Sequence, residues 1–226
     1  MAPPSTPRSQ KAFQRKLLAW YSRTARDLPW RDTRNPYAIL VSEFMLQQTQ
    51  VSRVSEYFPR FMARFPTIEK LARSRPKAVR EAWDGLGYYA RASNLHALSR
   101  VVSRDFEGKL PDSPDDLVKL PGVGRYTAGA VACFAYEKPV PAVDVNVARV
   151  LNRVFNDKEQ GAGSRELWAL ARTLVPKTGK RAWRFNQAIM ELGALVCTAR
   201  KPKCPKCPVR SGCAFLRSEN RTRHKR

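Results

Sequence analysis

Four of the chain's five cysteines lie between residues 197 and 213, and this cluster limits what the chain can fold into. Cys197, Cys204, Cys207 and Cys213 follow the spacing C-x6-C-x2-C-x5-C. Because residues 1–10 contain no apolar core of a secretory signal, a reducing compartment and a metal site are favoured over disulfides. Zinc sites usually pair two CxxC-like knuckles, whereas one CxxC flanked by single cysteines suits a compact [4Fe–4S] cluster. Spacing alone favours the iron–sulfur cluster and leaves zinc as the alternative.

The charge of the chain points to a polyanionic partner. Its 226 residues include 42 Lys and Arg against 19 Asp and Glu, which gives a net charge of +23. Nucleic acid is the first candidate and an acidic membrane surface the second, and an unusually soluble basic protein is the remaining interpretation. No apolar stretch approaches the length of a membrane-spanning helix. The cysteine loop is expected to contact phosphates, because cations lie between its ligands: Lys201, Lys203, Lys206 and Arg210.

Apolar residues recur at helical spacing along most of the chain, and period-two strand patterns are almost absent, so the sequence predicts an all-α protein. Residues 1–12 are predicted to form a disordered basic tail, and residues 217–226 a second basic tail beyond the ordered body. Between the tails, helices are predicted over 13–22, 36–61, from 67 with Thr67 as N-cap, 76–83, 90–105, from 113, 125–135, from 143, 165–175 and 184–196.

A Gly-x-Gly turn separates two of these helices. The stretch Leu120-Pro-Gly-Val-Gly124 lies between two helical patterns in a very basic chain. Glycines let a backbone turn tightly and approach a partner, and helix, hairpin and helix together make the helix–hairpin–helix pattern. The amides of Gly122, Val123 and Gly124 are expected to point at a DNA phosphate, as amides do at the N-terminus of an anion-binding helix.

Three stretches together carry a specific resemblance to a known family. They are Val41-Ser-Glu43-Phe-Met-Leu-Gln-Gln48-Thr49-Gln50, Leu120 to Thr127 with Val143-Asp144, and the four-cysteine loop; Gly85-Leu-Gly-Tyr-Tyr-Ala-Arg91 adds to them. The chain resembles the helix–hairpin–helix DNA glycosylase superfamily with an iron–sulfur cluster loop. Within it, the chain is most similar to the catalytic domain of the MutY family of adenine DNA glycosylases. The resemblance runs from about residue 13 to residue 213 and implies a [4Fe–4S] cluster on the four cysteines.

The resemblance implies two helical lobes. Residues 32–138 are expected to form a six-helix barrel that carries the hairpin, and residues 13–31 with 139–216 are expected to form a lobe that carries the cluster. Double-stranded DNA with a mismatched or damaged base is the expected partner, bound by a monomer across the groove between the lobes. If the source is a bacterium or archaeon, the expected location is the cytoplasm, in association with the nucleoid.

Two carboxyl groups suit the chemistry of N-glycosidic cleavage. The reaction needs a protonated leaving base and stabilisation of an oxocarbenium-like sugar, and glycoside hydrolysis meets the same need with paired carboxyl groups. Glu43 and Asp144 lie in otherwise apolar stretches, and burial raises the pKa of a carboxyl so that an acid is available near neutral pH. The resemblance implies that Glu43 protonates adenine at N7 and later helps to activate a water. It implies that Asp144 stabilises the sugar cation or forms a transient adduct with it.

Each carboxyl residue also has a purely structural interpretation. Glu43 could be an acid at the N-terminal end of a helix, and Asp144 could be the N-cap of the helix that begins at Val145. A capping role is common for an Asp at such a position. The matched surroundings of both residues favour the catalytic interpretation.

The second residue after Gly-Val-Gly separates two reaction types. In the endonuclease III branch of the superfamily, this residue is a lysine that attacks the sugar as an amine. Here it is Tyr126, so the resemblance implies a monofunctional glycosylase in which Tyr126 hydrogen-bonds near Glu43 and the sugar. The alternative is a tyrosine that packs behind the hairpin.

A base inside a duplex cannot be reached, so the target nucleotide must be flipped out. The resemblance places Gln48 and Tyr88 in the resulting gap as a wedge, with Thr49 and Leu86 facing the opposite base. Further positions match residues of the family's adenine pocket and active site: Arg26, Leu28, Trp30, Arg31, Leu46, Gln187 and Asn146. The alternative for the pocket residues, above all for Trp30 and Leu46, is ordinary core or surface.

Two departures from the family pattern keep a second substrate open. Full-length members carry a C-terminal domain that helps to read 8-oxoguanine opposite the adenine, whereas this chain ends soon after Cys213, and its basic tail favours a short variant over a catalytic fragment. Val145 replaces the glycine common beside the catalytic Asp. Related short enzymes remove thymine or uracil opposite guanine, but tend to lack a glutamate at the position of Glu43.

Glu43 therefore favours a purine target, and the predicted function is release of adenine opposite 8-oxoguanine or guanine. Thymine or uracil release opposite guanine is the first alternative. The second is a DNA-binding module without catalysis, which would need neither carboxylate.

Overall fold

The structure is a computed structural model that describes residues 6–155 and 164–223. Within those residues it contains twelve α-helices, two short 3-10 turns and no β-strand, and the all-α prediction is confirmed. The helices are α1 Pro7–Thr24, α2 Pro36–Leu46, α3 Val51–Arg64, α4 Ile68–Arg73, α5 Pro76–Ala82, α6 Ala90–Asp105, α7 Pro114–Leu117, α8 Arg125–Tyr136, α9 Val145–Phe155, α10 Arg165–Leu174, α11 Gly179–Leu195 and α12 Ala214–Arg223. No helix among the described residues is long and apolar enough to cross a membrane.

The chain divides into two compact units. Unit 1 consists of Met1–Arg26 and Lys138–Arg226, and unit 2 consists of Asp27–Glu137. The resemblance implied boundaries near residues 32 and 138. Unit 2, which the structure describes without a gap, contains α2 to α8, one helix more than the predicted six because the short α7 precedes the hairpin.

Helix α2 is the centre of unit 2. Its residues from Tyr37 to Met45 are all buried, and it packs against α3, α6 and α8. A helix that is apolar on every side is buried on every side. Asn35 caps the helix by accepting hydrogen bonds from the amides of Tyr37 and Ala38, and Pro36 occupies the first helical position.

Helices α2 and α8 pack closely and run in opposite directions. Arg34, just before α2, forms an ion pair of 3.5 Å with Glu137, just after α8. The start of α2 is therefore beside the end of α8. Because the two helices are of similar length and remain in contact, the last turns of α2 lie towards the first turn of α8.

The predicted long helix over residues 36–61 is wrong. The structure has two helices there, because α2 ends at Leu46 and α3 begins only at Val51. Gln48 lies between them with a φ of 56°, a left-handed conformation that a right-handed helix cannot contain. The break therefore comes from the backbone at Gln48, whereas the apolar pattern continues across it.

Both predicted tails are partly helical. Helix α1 begins at Pro7, and Thr6 caps it by accepting a hydrogen bond of 3.3 Å from the amide of Ser9, so disorder through residue 12 is wrong for residues 7–12. Helix α12 runs to Arg223, so the ordered body continues past the cysteine loop. Residues 1–5 and 224–226 lie outside the described residues.

Candidate active site and cluster loop

Asp144 directly precedes α9 and caps it. Its Oδ1 atom accepts a hydrogen bond of 2.7 Å from the amide of Val147, and its Oδ2 atom accepts one of 2.9 Å from Nδ2 of Asn146. The capping role is therefore observed. A carboxylate has about four lone-pair sites, so two accepted bonds orient Asp144 and leave capacity for a substrate. Val145 beside it is 69% exposed, so replacing a glycine there obstructs neither bond.

Arg149 links this end of α9 to the cysteine loop. Its Nη2 atom donates to Oδ1 of Asn146 and to the carbonyl of Gly193, both at 2.8 Å. Its Nε atom donates to the carbonyl of Cys197 at 2.8 Å. Sequence reasoning missed Arg149, although its position one turn after Asn146 on α9 is a signal that could have found it.

Gly193 allows the close approach of α11 to the start of α9. A Cβ atom at residue 193 would lie 2.8 Å from Cβ of Asn146 and 3.1 Å from its carbonyl oxygen. Real Cβ atoms essentially never show a contact as short as 2.8 Å, and neither partner atom is the free end of a flexible side chain. A side chain at residue 193 would therefore displace Asn146, and with it the group that orients Asp144.

The four thiols of the loop line one pocket. Its remaining lining is mostly apolar and includes Val150, Leu192, Val196 and Val209. All four cysteines are reduced rather than paired in disulfides. Burial raises the pKa of the Cys207 thiol to about 11, and the three other cysteines add to the shift. Four thiols that line one apolar pocket become thiolates together only around a cationic centre.

The side chains that line this pocket are those that an iron–sulfur cluster binds. Among the residues that the structure describes, the lining contains four cysteines and no His, Asp or Glu. A [4Fe–4S] cluster takes one thiolate on each of its four irons, so four cysteines complete its set of ligands. The residues present therefore fit the cluster predicted from the sequence.

Arg153, one turn beyond Arg149 on α9, holds both ends of the loop. Its guanidinium donates to the carbonyls of Thr198 and Ala199 at 2.7 and 2.8 Å and approaches Sγ of Cys197 at 3.6 Å. At the other end of the loop, Sγ of Cys213 lies 3.2 Å from the carbonyl oxygen of Arg153. The same helix thus carries the Asp144 cap and the anchors of the loop. The predicted phosphate-contacting cations of the loop are all exposed: Lys201, Lys203, Lys206 and Arg210.

Glu43 is buried in unit 2, with 4% of its surface exposed. It lies in the second half of α2, so the interpretation as an acid at the N-terminal end of a helix is wrong. Tyr126 is half-buried in the first turn of α8. Since the last turns of α2 lie towards the first turn of α8, the structure brings Tyr126 to the same end of unit 2 as Glu43.

The two predicted wedge residues are exposed and conformationally strained. Gln48 has a φ of 56° and Tyr88 a φ of 45°, and Tyr88 is 61% exposed. A non-glycine residue in this region costs about 1–3 kcal/mol and is held there only by its surroundings. Such strain is concentrated at ligand-contacting sites.

Arg91 holds the backbone next to Gln48 and Tyr88 in place. Its buried guanidinium donates to the carbonyls of Phe44 and Met45 at the end of α2, at 3.0 and 2.8 Å, and to the carbonyl of Gln47. It also donates to the carbonyls of Leu86 and Gly87, both at 3.0 Å. Burial lowers the pKa of Arg91 below its usual value. One side chain therefore ties together the two turns that precede Gln48 and Tyr88.

Of the two residues predicted to face the opposite base, Thr49 is partly exposed and Leu86 is buried. Thr49 is half-buried, and its hydroxyl donates to the carbonyl of Gln47 at 3.3 Å. Leu86, by contrast, is only 5% exposed, so its expected exposure to a base is wrong in this structure. The amide of Leu86 donates to the carbonyl of Trp83, and this turn directs the leucine into the core.

The hairpin has the backbone that its glycines predict. The amide of Val123 donates to the carbonyl of Leu120 at 3.1 Å, and Gly122 has a φ of 74°, as in a type II turn with Pro121 at its second position. The Val123 amide is thus engaged within the turn, so the expectation that it points at a phosphate is wrong. Gly122 and Gly124 are exposed, and Gly124 is the N-cap residue of α8 and provides no side-chain cap, which suits an anion.

The predicted adenine-pocket residues fall in both units. Leu28, Trp30, Arg31 and Leu46 belong to unit 2, and Arg26, Gln187 and Asn146 to unit 1. Leu28 and Trp30 are buried. The rings of Trp30 and Phe58 pack edge to face with centroids 5.8 Å apart, so Trp30 is a core residue, as the alternative interpretation held. Arg31 and Leu46 are half-buried.

Arg26 is committed to a buried carboxylate that sequence reasoning missed. Its Nε and Nη2 atoms donate to the two oxygens of Glu191 at 2.6 and 3.0 Å, and Glu191 has no exposed surface. These hydrogen bonds raise the pKa of Arg26 above its usual value. Gln187 is also buried and lies one turn before Glu191 on α11, so Arg26 and Gln187 meet the same stretch of that helix.

Two family models match stretches of this chain. Residues 41–177, which include Glu43, the hairpin and Asp144, match the model of the HhH-GPD superfamily of base excision DNA repair proteins. The chain belongs to this superfamily. Residues 197–213 match the iron–sulfur binding domain of endonuclease III, so this loop belongs to a [4Fe–4S] cluster domain, and its four cysteines remain the predicted ligands.

Curated relatives of this chain are named adenine DNA glycosylases. The rat protein is 46% identical over 89% of this chain and 41% of its own length. The Mycobacterium tuberculosis protein (strain H37Rv) is 49% identical over 85% of this chain and 64% of its own length. The chain therefore spans about two fifths of the mammalian relative and under two thirds of the mycobacterial one.

Solved structures share the fold of this chain. A thermostable thymine-DNA glycosylase is 34% identical, with a TM-score of 0.89, over 95% of this chain and 99% of that one. A non-covalent endonuclease III–DNA complex has a TM-score of 0.81 at 24% identity, over 96% of this chain and 99% of that one, which is a likeness of fold alone.

Proposed function

We propose that this chain is a monofunctional DNA glycosylase of base excision repair that flips out and releases adenine opposite 8-oxoguanine or guanine. The observation that carries the proposal is the buried carboxyl of Glu43 on α2, the central helix of unit 2. Glu43 lies at the end of unit 2 where Tyr126 occupies the first turn of α8. The adenine DNA glycosylases named above support adenine as the target. A buried carboxyl group is the general acid that a purine leaving group needs, since protonation at N7 makes the base a better leaving group.

The proposed reaction assigns one carboxyl group to the base and the other to the sugar. Glu43 gives its proton to N7 of the flipped adenine, and the C1′–N9 bond breaks with its electron pair passing to the base. Asp144, oriented by Asn146 and the amide of Val147, stabilises the positive charge that develops on the sugar. Water then adds at C1′ and gives its proton to the Glu43 carboxylate, which leaves an abasic site and restores the acid.

Tyr126 distinguishes this reaction from the one with a lysine at the same position. A phenol does not form a Schiff base with the sugar, so strand cleavage is not coupled to base release. We therefore expect borohydride to trap no covalent complex between the chain and its DNA substrate. A trapped complex would contradict the monofunctional assignment.

The cluster has a binding and positioning role in this proposal. When bound, it cross-links the loop from Cys197 to Cys213 and fixes the cations between its ligands. Those cations and the glycines of the hairpin provide the phosphate contacts of a monomer on duplex DNA. Binding should therefore weaken steeply as salt concentration rises, and a shallow salt dependence would count against the proposal.

Base release from duplexes with one defined pair tests the substrate. Adenine opposite 8-oxoguanine, adenine opposite guanine, and thymine and uracil opposite guanine are compared under identical conditions, with alkali cleavage reporting the abasic product. The proposal predicts product from both adenine duplexes. Product confined to the thymine or uracil duplexes would overturn the adenine assignment and leave the fold assignment intact.

Thymine release opposite guanine is the second candidate function. It is favoured by the likeness to the thermostable thymine-DNA glycosylase, which the chain matches over 99% of that structure. A pyrimidine has no N7 to protonate, so this reaction would not use Glu43 as the acid. Thymine release that is unchanged in Glu43→Gln would establish this candidate over the first.

A further inference from the structure

The positive charge of the chain is concentrated in unit 1. Of the 42 Lys and Arg, 26 belong to unit 1, together with only 6 of the 19 Asp and Glu. Unit 2 carries the remaining 16 Lys and Arg against 13 Asp and Glu and is almost neutral. The cations of the cysteine loop account for part of this excess, and much of the rest lies elsewhere in unit 1.

One end of unit 1 is formed by the starts of two parallel helices. The rings of Phe13 on α1 and Phe185 on α11 are 6.1 Å apart. Further along the chain, Arg26, just after the end of α1, pairs with Glu191 on α11. Since both contacts follow the chain direction, α1 and α11 begin at the same end of the unit and run side by side.

The end of α10 joins them there. Nε2 of Gln10 donates to the hydroxyl of Thr173 at 3.3 Å, and Nε2 of Gln14 donates to the carbonyl of Leu174 at 2.7 Å. The last turn of α10 therefore lies beside the first turns of α1. The short connection from α10 to α11 belongs to the same end of unit 1.

Six exposed cations occupy this end, and we call them the distal basic surface: Arg8, Lys11, Arg172, Lys177, Lys180 and Arg181. Within the described residues, none of the six forms an ion pair with a carboxylate. Helix α1 contains no acidic residue at all. The acids of the other two helices lie at their opposite ends, Glu166 at the start of α10 and Glu191 near the end of α11.

The arrangement is electrostatically unfavourable for the isolated protein. Lys180 and Arg181 lie in the first turn of α11, where the partial positive charge of the helix favours acids, and that turn contains none. Neither side chain packs into the core, so folding gains little from them. A bound polyanion would remove the repulsion among the six cations.

The distal basic surface is remote from the residues of the active site in unit 1. Gly193, which contacts Asn146, lies thirteen residues after Lys180 on α11. At 1.5 Å per residue, the two positions are roughly 20 Å apart along the helix. Phosphates of one DNA strand are about 3.4 Å apart along the axis, so this distance equals roughly six base pairs.

We propose that the distal basic surface binds the phosphate backbone of duplex DNA that flanks the target nucleotide, six or more base pairs away. The inference rests on the proposed function for the identity of the ligand. Regularly spaced phosphates suit cations that are spread over three helices, whereas a single small anion would need them to converge. The surface adds affinity for long DNA and takes no part in base release.

Binding to duplexes of two lengths tests the proposal. Both duplexes carry the same target pair, with about five base pairs on each side in the short one and about fifteen in the long one, so that only the long one spans the required distance. The dissociation constant is measured for both in the full chain with Glu43→Gln, which prevents turnover. An undamaged long duplex is included, because it reports flank binding even if the assigned substrate is wrong.

The variant removes three cations of the distal basic surface by Lys177→Ala, Lys180→Ala and Arg181→Ala. A matched control removes three exposed cations of unit 2 by Lys70→Ala, Arg73→Ala and Lys77→Ala. The parent and the control should bind the long duplex about 10-fold or more tightly than the short one, and the distal variant should lose most of that difference. Its salt slope on the long duplex should fall by about 2 to 3, because each lost phosphate contact contributes about one.

Two outcomes would overturn the proposal. The distal variant could keep the full gain from the flanks, or it could lose affinity for the short and long duplexes by the same factor. Stability should not fall, since alanine is a good helix former and two of the removed cations oppose the helix dipole. If the alanine variant does not fold, Lys180→Gln with Arg181→Gln measures the same loss. If the chain without Glu43→Gln releases only thymine from long duplexes, the adenine assignment is overturned and this inference still stands.

Discussion

Arg149 donates a hydrogen bond of 2.8 Å to the carbonyl oxygen of Cys197, the first of the four predicted cluster ligands. The same guanidinium donates to Asn146, whose amide in turn donates to Asp144. The cluster loop and the predicted catalytic carboxylate are thus joined by three hydrogen bonds within unit 1. A change at either end therefore reaches the other through Arg149.

Replacing Arg149 should slow base release and loosen the cluster together. Arg149→Ala removes the bonds to Asn146, Gly193 and Cys197, and losing partners that orient metal ligands typically costs about 10- to 100-fold in activity or metal affinity. Single-turnover release and the visible absorbance of the cluster are measured on the same preparation. Arg165→Ala, at an exposed position of α10, is the control. An unchanged rate in Arg149→Ala would show that Asp144 is oriented without it.

Gly193→Ala should impair catalysis by steric displacement of Asn146. The added Cβ would lie 2.8 Å from Cβ of Asn146, and overpacking of this kind costs about 1–3 kcal/mol. We expect a lower melting temperature and slower release, with DNA affinity changed little. Gly212→Ala is the matched control, because its Cβ would meet nothing within 4 Å. Equal effects of both substitutions would contradict this account.

Arg91→Lys should disorder the wedge while keeping the charge. A lysine ammonium cannot reproduce the planar fork that reaches the carbonyls at the end of α2 and in the turn before Tyr88. The carbonyls left without donors should lower the free energy of unfolding by about 2 kcal/mol or more. Fluorescence of a base analogue beside the target measures flipping, which should become slower. Arg100→Lys, at an exposed position on the same helix, should leave flipping unchanged.

Much of the fold could be predicted from local signals. Helices α6 and α8 begin at the predicted residues, and Thr67 caps α4 as expected, because these features depend on apolar period, glycine and capping chemistry. The cysteine spacing, which is also a local signal, favoured the iron–sulfur cluster, and the match of residues 197–213 to an iron–sulfur binding domain confirms that prediction. Glu43 could be recognised as a buried acid because its neighbours in the sequence are apolar.

Other features depend on contacts that are distant in the sequence. The left-handed backbone of Gln48 has no local signal, since glutamine rarely adopts it, and Arg91 holds it from another helix. Arg149 and Glu191 gain their roles only when α9, α11 and the end of α1 come together.

The pair of Arg26 and Glu191 should be required for the stability of unit 1. Arg26→Ala leaves a fully buried carboxylate without its partner, which typically costs about 3–5 kcal/mol. Replacing both residues, by Arg26→Met with Glu191→Leu, should recover much of the lost stability because no buried charge remains. Chemical denaturation of the two variants measures this difference. A double variant as unstable as Arg26→Ala would mean that the pair has a further role beyond charge neutralisation.

The most direct test of the proposed mechanism is single-turnover adenine release by Glu43→Gln and Asp144→Asn, with DNA binding measured in parallel. The account predicts that each substitution abolishes release from the adenine:8-oxoguanine duplex, while the dissociation constant stays within a few-fold of the parent value. Gln and Asn match the shapes of the acids but cannot donate a carboxylic proton or carry the negative charge. Release at the parental rate in Glu43→Gln would contradict the account, because the buried carboxyl of α2 would then not be the acid.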